Sequence, residues 1–332
     1  MLSPMHLLPI RPAARPGSAS RLGLLALLAG ALAACAADVT RDETAPVDPP
    51  ASATTDAPAD RREPAPSPAP PPAVPAPPTP PAPLELTVLT YNVAGLPQGV
   101  SGSSPAQNTA KISPKLNAYE LVVVQEDFSY HAELVSAATH PHQSTPGPKG
   151  LLPTDLGDGL SALSTLPFSG YARTKWSKCN GTFDQKNDCL TSKGFARMTL
   201  DVGGGAVVDV YNAHFDAGRE PGDVSARDAQ VSQLVAAIAS QSAGRAVVVA
   251  GDTNMKATDE PTLQRLLTGA GLTSACRALS CPDPSRIDRV LYRSAADVKI
   301  KARRYAVESF TDAAGKPLSD HDPVSVRLSI ER

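Results

Sequence analysis

The chain has 332 residues, 34 of them proline and only 14 aromatic, with 31 Lys plus Arg against 33 Asp plus Glu and a formal charge of −2. That balance excludes a strongly basic nucleic-acid coat and a polyacidic chain. The length allows one large domain or two small ones, but 16 of the prolines fall between Pro46 and Pro83, a segment that cannot form core, so the folding unit is shorter than the chain.

Arg11, Arg15 and Arg21 precede an uncharged apolar run, Leu22 to Ala34. Its 13 residues match a signal-peptide core and fall short of the about 20 that cross a bilayer. The run closes Leu32-Ala33-Ala34-Cys35, which resembles the bacterial lipoprotein cleavage site. The resemblance implies a signal peptide over residues 1–34, cleavage before Cys35 and acylation of that cysteine. Ala36 follows where a lipoprotein kept at the inner membrane carries Asp, which points to the outer membrane of a bacterial cell envelope. Two or more acyl chains anchor stably with no spanning helix. An ordinary secretory signal, giving a secreted protein, and a transmembrane anchor are the competing readings. Residues 35–83 then read as the lipidated cysteine followed by a Pro/Ala/Thr/Asp-rich disordered linker, semi-rigid and extended. Without residues 1–34 the balance is 28 basic against 33 acidic residues. The linker takes most of that acidic excess, leaving 25 against 26 in the remainder.

From Leu84 the texture changes to that of a folded domain, residues 84–332. Strands are predicted over Leu84–Val93, Asn117–Gln125, Asp158–Leu163, Gly194–Val202, Ala206–His214, Ala246–Ala250, Asp288–Tyr292, Ile300–Val307 and Val324–Ile330. Leu121-Val122-Val123-Val124 reads as a strand buried on both faces. Helices are predicted over Tyr130–Ala138, Ser225–Ser240 and Thr262–Ala270. In the second, Val231, Leu234, Val235 and Ile238 recur at helical spacing, with Ser225 and Asp228 placed like a capping box. Many strands with interspersed helices predict a layered α/β sandwich. No internal repeat is visible from periodicity, although two similar halves could hide one.

Four cysteines follow Cys35, in two close pairs, so Cys179–Cys189 with Cys276–Cys281 is the favoured of three connectivities. A zinc site competes, but no histidine lies nearby and the spacings of ten and five suit it poorly. Disulfides imply an oxidising compartment.

Polar residues end the apolar strands at five places: Thr90-Tyr91-Asn92, Gln125-Glu126-Asp127, Tyr211-Asn212-Ala213-His214, Gly251-Asp252-Thr253-Asn254 and Ser319-Asp320-His321-Asp322. Asp288 opens a further strand. Strand ends are where catalytic groups are usually held. Singly, each residue has a bland explanation as a turn cap or a solvated loop residue. Together, Glu126, Asp252, Asp288 and Asp320 are hard oxygen donors suited to Mg²⁺-type ions, and two histidines and two amides suit phosphate contact and proton transfer. Cleavage of a phosphate ester needs both halves.

In order, these blocks resemble the endonuclease/exonuclease/phosphatase superfamily, over essentially Leu84 to Arg332. The strongest matches are the Gln-Glu pair, the Gly-Asp-x-Asn turn and the C-terminal Ser-Asp-His. The resemblance implies a deoxyribonuclease-I-like fold: a four-layer α/β sandwich of two packed mixed β-sheets flanked by helices. It also implies a metal-dependent phosphoesterase, with Mg²⁺ or another divalent cation such as Mn²⁺. Carried over by position, Glu126 is the principal metal ligand with Asn92 beside it, and Asp320 is a further metal contact. His321 is the general base, and Asp288 holds its tautomer. Asp252 and Asn254 bind the phosphate and orient the nucleophile. His214 is a second catalytic histidine, Asn92, His214 and Asn254 contact phosphate, and Asp216, Arg227 and Gln230 are supporting residues.

The stretches Tyr91-Asn92-Val93-Ala94-Gly95-Leu96-Pro97 and Asp188 to Phe195 are similar to bacterial sphingomyelinase and phospholipase C-like members. DNA-cleaving members often carry arginine shortly after the metal glutamate; Asp127 and Phe128 follow here. The implied partner is a membrane phospholipid such as sphingomyelin, cleaved by a monomer reaching the membrane through its lipid anchor. A nuclease acting on DNA or RNA, and a catalytically inactive surface binding module, are the alternatives. Tyr171, Trp176 and Phe183, in or beside the Cys179–Cys189 loop, read either as an aromatic loop that dips into a lipid interface or as packing under that loop.

Overall fold

The computed structural model describes residues 82–100, 104–149, 156–181 and 188–332, all within one compact unit, Pro75–Arg332. The implied signal peptide, Cys35, nearly all of the linker, and Phe183 lie outside the described residues. Among the described residues no helix is long and apolar enough to cross a membrane.

Two six-stranded sheets make the middle layers. In chain order the first half supplies β1 (Leu84–Asn92), α1 (Pro105–Ile112), β2 (Leu121–Gln125), α2 (His131–Val135), β3 (His142–Gln143), β4 (Ser161–Ser164) and β5 (Phe168–Lys175). Next come β6 (Gly194–Gly203), β7 (Ala206–His214), α3 (Pro221–Gln241), β8 (Ala246–Asp252) and α4 (Glu260–Ala270). The chain ends with β9 (Thr273–Ser274), α5 (Ala275–Ala278), β10 (Asp288–Arg293), β11 (Lys299–Val307) and β12 (Val324–Glu331). The first sheet runs β11-β12-β1-β2-β4-β3 and the second β9-β10-β8-β7-β6-β5.

Read in those directions, both sheets have the same pattern: every neighbouring pair is antiparallel except the central one. That central pair is β1 with β2 in one sheet, joined through α1, and β8 with β7 in the other, joined through α3. The two halves therefore share an architecture that sequence periodicity does not reveal. The four-layer sandwich is as expected.

Strand alternation explains the layers. Leu86 and Val88 of β1, Leu121 and Val123 of β2, Val208 and Val210 of β7, and Ala246, Val248 and Ala250 of β8 face inward and fill the space between the sheets. The intervening residues face outward. Leu89, Tyr91, Val122 and Val124 pack on Ile112 and Leu134, whereas Tyr211, Val247 and Val249 pack on Val231, Leu234, Ile238, Leu263 and Leu266.

Local corrections have physical causes. α3 starts at Pro221, one turn before the predicted Ser225, and the Glu220 backbone N–H donates to Asp223 Oδ2 at 2.8 Å. Asp228 instead accepts from Thr262 and Arg265 on α4, and Ser225 Oγ accepts from Lys178. Asn117 and Ala118 belong to a 3₁₀ turn rather than to a strand. β5 escapes notice because it is a half-exposed edge strand with no apolar run, and α1 because its sequence, PAQNTAKI, has one large apolar residue. The cysteines pair as Cys179–Cys189 and Cys276–Cys281, which removes the zinc reading.

Candidate active site

At one end of the sandwich the inward-facing rows change chemistry. The β1 row Leu86-Val88 continues into Thr90 and Asn92, and the β2 row Leu121-Val123 into Gln125. The β7 row Val208-Val210 continues into Asn212 and His214, the β8 row Ala246-Val248-Ala250 into Asp252, and on β10 Asp288 precedes Val290. The ladders place these ends side by side: Asn92 opposite Gln125, His214 opposite Asp252, and Asp252 opposite Asp288. An apolar side chain buried at such a position contributes about 1.5–3 kcal/mol; polar groups there forgo that stabilisation, as functional sites do.

Just beneath, Gln125 Nε2 donates to Asn212 Oδ1 at 2.7 Å across the two sheets, and Asn212 Nδ2 donates to the carbonyls of Val124 and Ser161. Asn92 is the next bridge. Its Nδ2 donates to Glu126 Oε1 at 3.1 Å and to Asp252 Oδ2 at 3.2 Å, while its Oδ1 accepts from Ala94 N at 3.0 Å. His214 Nε2 lies 3.5 Å from Asp252 Oδ2 and 4.0 Å from Glu126 Oε1. Asn254 N donates to Asp252 Oδ1 at 2.9 Å, and its Nδ2 donates to Phe215 O at 2.9 Å. His321 Nδ1 lies 2.9 Å from Asp288 Oδ2, and its Nε2 lies 3.8 Å from Asp252 Oδ2.

Glu126, Asn92, His214, Asp252, Asn254, Asp288 and His321 thus form one constellation. Asp320 stands apart, exposed, with Oδ1 accepting from Ser319 Oγ at 3.4 Å. It lines a cavity of about 410 Å³ with Asp288, His321, Lys256 and Arg286. Asp216, Arg227 and Gln230 are buried behind the site. Arg227 donates to the carbonyls of Asp216, Ala217 and Gly218 and pairs with Asp259 at 2.7 Å, so it ties together the loops that follow His214 and Asn254.

Lys193 is a further site residue; it lies in the Asp188 to Phe195 stretch that is similar to sphingomyelinases, but that resemblance assigned it no role. It is buried at the start of β6, its Nζ donating to Asp188 Oδ1 at 2.5 Å and to Phe215 O at 3.4 Å. Burial alone would lower its pKa; the charges of Asp188, Glu126 and Asp252 outweigh that and raise it. Nothing in the run Thr191-Ser192-Lys193 marks a buried ammonium, because its burial depends on strands far apart in sequence. Trp176 is buried, as the packing alternative expects. It is 4 % exposed, packs at a tilt against Phe215 and Phe195, and donates from Nε1 to His214 O at 2.7 Å. It therefore supports the histidine and does not project toward a lipid surface. Tyr171 packs on Phe168 and under Arg173.

The electrostatics show an excess of negative charge. Burial, then the neighbouring Asp288 charge, pushes Asp252 up to about 6 against the opposing pull of His321 and Lys193. Burial would lower His321, but the hydrogen bond and charge of Asp288, with Asp252 and Asp320, raise it to about 9. His214 moves well below the usual imidazole value through burial, with Lys193 and His321 adding to the effect. Among the described residues, Asp288 Oδ1 is buried with no hydrogen-bond partner. Ligand atoms of Asp252, Asp288 and His321 lie within 4.8 Å of one another. Hard oxygens crowded together, one unpaired and one pushed toward protonation, fit a divalent cation.

A family model described as the endonuclease/exonuclease/phosphatase family matches residues 89–321. The sphingomyelinase of Mycobacterium tuberculosis (strain ATCC 25618 / H37Rv) is 34% identical over 264 residues, 73% of this chain and 52% of that protein, so the chain spans about half the length of this curated relative. Sphingomyelinase C from Streptomyces griseocarneus superposes with a TM-score of 0.55 at 22% identity, over 74% of this chain and 99% of that one. A variant of beta toxin from Staphylococcus aureus with bound magnesium ions superposes with a TM-score of 0.55 at 16% identity, over 73% of this chain and 99% of that one.

Proposed function

The chain belongs to the endonuclease/exonuclease/phosphatase family, and from that premise we propose that it is a divalent-cation-dependent phosphodiesterase acting on a phospholipid such as sphingomyelin. The observation that carries the chemistry is His321, held by Asp288 at 2.9 Å and turned toward Asp252 at the wall of an open cavity.

In this reading His321 Nε2 takes the proton of the attacking water, and the Asp288 carboxylate fixes Nδ1 as the protonated nitrogen and stabilises the imidazolium that forms. Asp252 and Asn254 orient the water and the phosphoryl oxygens. His214, neutral because it is buried, offers Nε2–H as a donor toward charge that builds on the phosphate. Lys193 adds a fixed positive charge behind the same oxygens. Glu126, with its carboxylate oriented by Asn92, is the principal holder of the cation, and Asp252 and Asp288 offer further oxygens nearby, while His321 Nε2 stays free to take the proton. Asp320 is a candidate contact at the rim. When bound, Mg²⁺ or Mn²⁺ would neutralise the clustered carboxylates and the charge developing on the phosphoryl group, and by its field would lower His321 toward neutrality.

The lipid substrate is supported by the sphingomyelinase relative and by the neutral domain. Duplex binding draws heavily on cationic residues facing phosphates, and Asp127 and Phe128, rather than an arginine, directly follow Glu126. Attachment to a bacterial outer membrane through Cys35 rests on the N-terminal sequence; radiolabelled palmitate incorporated by wild type but not by Cys35→Ala tests it. The substrate is tested by incubating the full chain with sphingomyelin vesicles, phosphatidylcholine vesicles and supercoiled plasmid, each with Mg²⁺ and with chelator. Release of phosphocholine from sphingomyelin is the expected result. Plasmid nicking with inert vesicles would assign the chain to the nucleases, and activity on none of the three would favour a binding module.

A further inference from the structure

Glu126 faces the cleft in defiance of strand parity. On β2, Leu121, Val123 and Gln125 face inward, so an extended continuation would send Glu126 outward toward the helices. Instead Glu126 adopts φ +60°, in the left-handed region that a residue with a side chain rarely enters. That turn swings the carboxylate back to Asn92 Nδ2 at 3.1 Å. A strained conformation of this kind persists only where its surroundings enforce it.

Two glycines do so, one on each side of the turn. Gly95 N donates to Glu126 O at 3.1 Å and Gly95 O accepts from Ser129 N at 3.2 Å. A Cβ at Gly95 would stand on the Glu126 carbonyl oxygen. On the opposite side Asp127 N donates to Gly159 O at 2.9 Å. Gly159 has φ +65°, and a Cβ there would lie 2.6 Å from Phe128 Cε1 and 3.0 Å from Glu126 Cα. The loop after β1 and the loop before β4 therefore grip the Glu126 peptide at distances that only glycine allows.

We propose that Gly95 and Gly159 are positioning residues for Glu126, holding the left-handed turn that aims its carboxylate into the cleft and so setting the affinity for a divalent cation. The inference rests on the reading of Glu126 as the principal cation holder. Groups that orient a metal ligand change affinity by roughly 10–100-fold when lost. The experiment is calorimetric titration of Mg²⁺ into the full chain, comparing wild type, Gly95→Ala, Gly159→Ala, Glu126→Gln and Gly159→Ala/Glu126→Gln. Each glycine variant is expected to weaken Mg²⁺ binding by about tenfold or more. The double variant is expected to bind no more weakly than Glu126→Gln alone, because the glycine acts only through that carboxylate.

Wild-type affinity in both glycine variants, or losses that multiply in the double variant, overturns the proposal while leaving Glu126 as the holder. Unchanged affinity in Glu126→Gln overturns the parent reading and this one with it. Should Gly159→Ala not fold, the same substitution is titrated in a Phe128→Leu background against Phe128→Leu alone. That change removes the nearest ring atom but leaves the contact with Glu126 Cα, so the same loss is expected and its absence is equally fatal.

Discussion

His321 and Asp288 meet at 2.9 Å across the two sheets: His321 lies three residues before β12 of the first sheet, and Asp288 opens β10 of the second. Asn92 and Asp252 are a second pair drawn one from each sheet, at 3.2 Å. The reactive geometry is therefore a property of how the sheets pack, and any change in their separation acts on the histidine directly.

Asp288→Asn removes the charge and puts an amide in place of the carboxylate, so the Nδ1-protonated tautomer of His321 is no longer enforced. It is expected to lower turnover by roughly 10²–10⁴-fold, the usual share of general-base catalysis. Stability gives an independent readout. The imidazole rises from 6.5 to about 9 on folding, so its contribution is complete below pH 6.5 and is lost as pH rises through 9. In chelator, urea unfolding should show wild type losing about 2 kcal/mol more than Asp288→Asn between pH 6 and pH 9.5. Parallel pH dependences in the two proteins would remove Asp288 as the cause.

His214 carries the opposite sign. Its folded-state pKa is well below 6.5, so the unfolded chain gains the proton first and the contribution of this group falls as pH drops below 6.5. Nitrogen chemical shifts should report a ring that stays neutral, protonated at Nε2, as pH falls through the ordinary imidazole range in the cation-free protein. A ring that titrates near 6.5 would contradict its burial between Lys193 and the carboxylates.

Lys193 and Asp188 form a buried pair at 2.5 Å. Lys193→Met is expected to destabilise the domain by about 3–5 kcal/mol, because Asp188 is left buried without its partner. Adding Asp188→Asn should restore most of that stability and none of the activity, since the positive charge facing Glu126 and Asp252 is still absent. Recovery of activity in the double variant would confine Lys193 to a structural role.

The chain has one tryptophan, and Trp176 is buried against Phe215 with its indole N–H on the His214 carbonyl. Its emission should be blue-shifted and unchanged when sphingomyelin vesicles are added. A further blue shift or protection from aqueous quencher on vesicle addition would restore the lipid-facing reading of the aromatic loop.

Much of this site was legible because strand alternation carries the same face from core into cleft. Leu121-Val123 passing into Gln125, and Ala246-Val248-Ala250 into Asp252, are visible in the sequence itself. The two cysteine pairs were legible from spacing. What escaped depends on tertiary structure. Lys193 looks like an ordinary surface lysine until β6 and the loop after His214 enclose it. Glu126 breaks strand parity through a backbone turn that its own side chain disfavours. Trp176, beside a cysteine-closed loop, is compatible in sequence with burial and with exposure, and its packing on Phe195 and Phe215 and its hydrogen bond to His214 O decide between them. The true start of α3 lies a turn before Ser225 because Ser225 and Asp228 mimic in sequence a cap that Glu220 and Asp223 supply.

The central claim is that His321 drives phosphodiester hydrolysis in this cleft. Its most direct test is the rate of phosphocholine release from sphingomyelin vesicles with saturating Mg²⁺, measured for folded full-length wild type and for His321→Ala. The account predicts activity in wild type that chelator abolishes, and a loss of roughly 10²–10⁴-fold in the variant. Equal rates in the two proteins would contradict it.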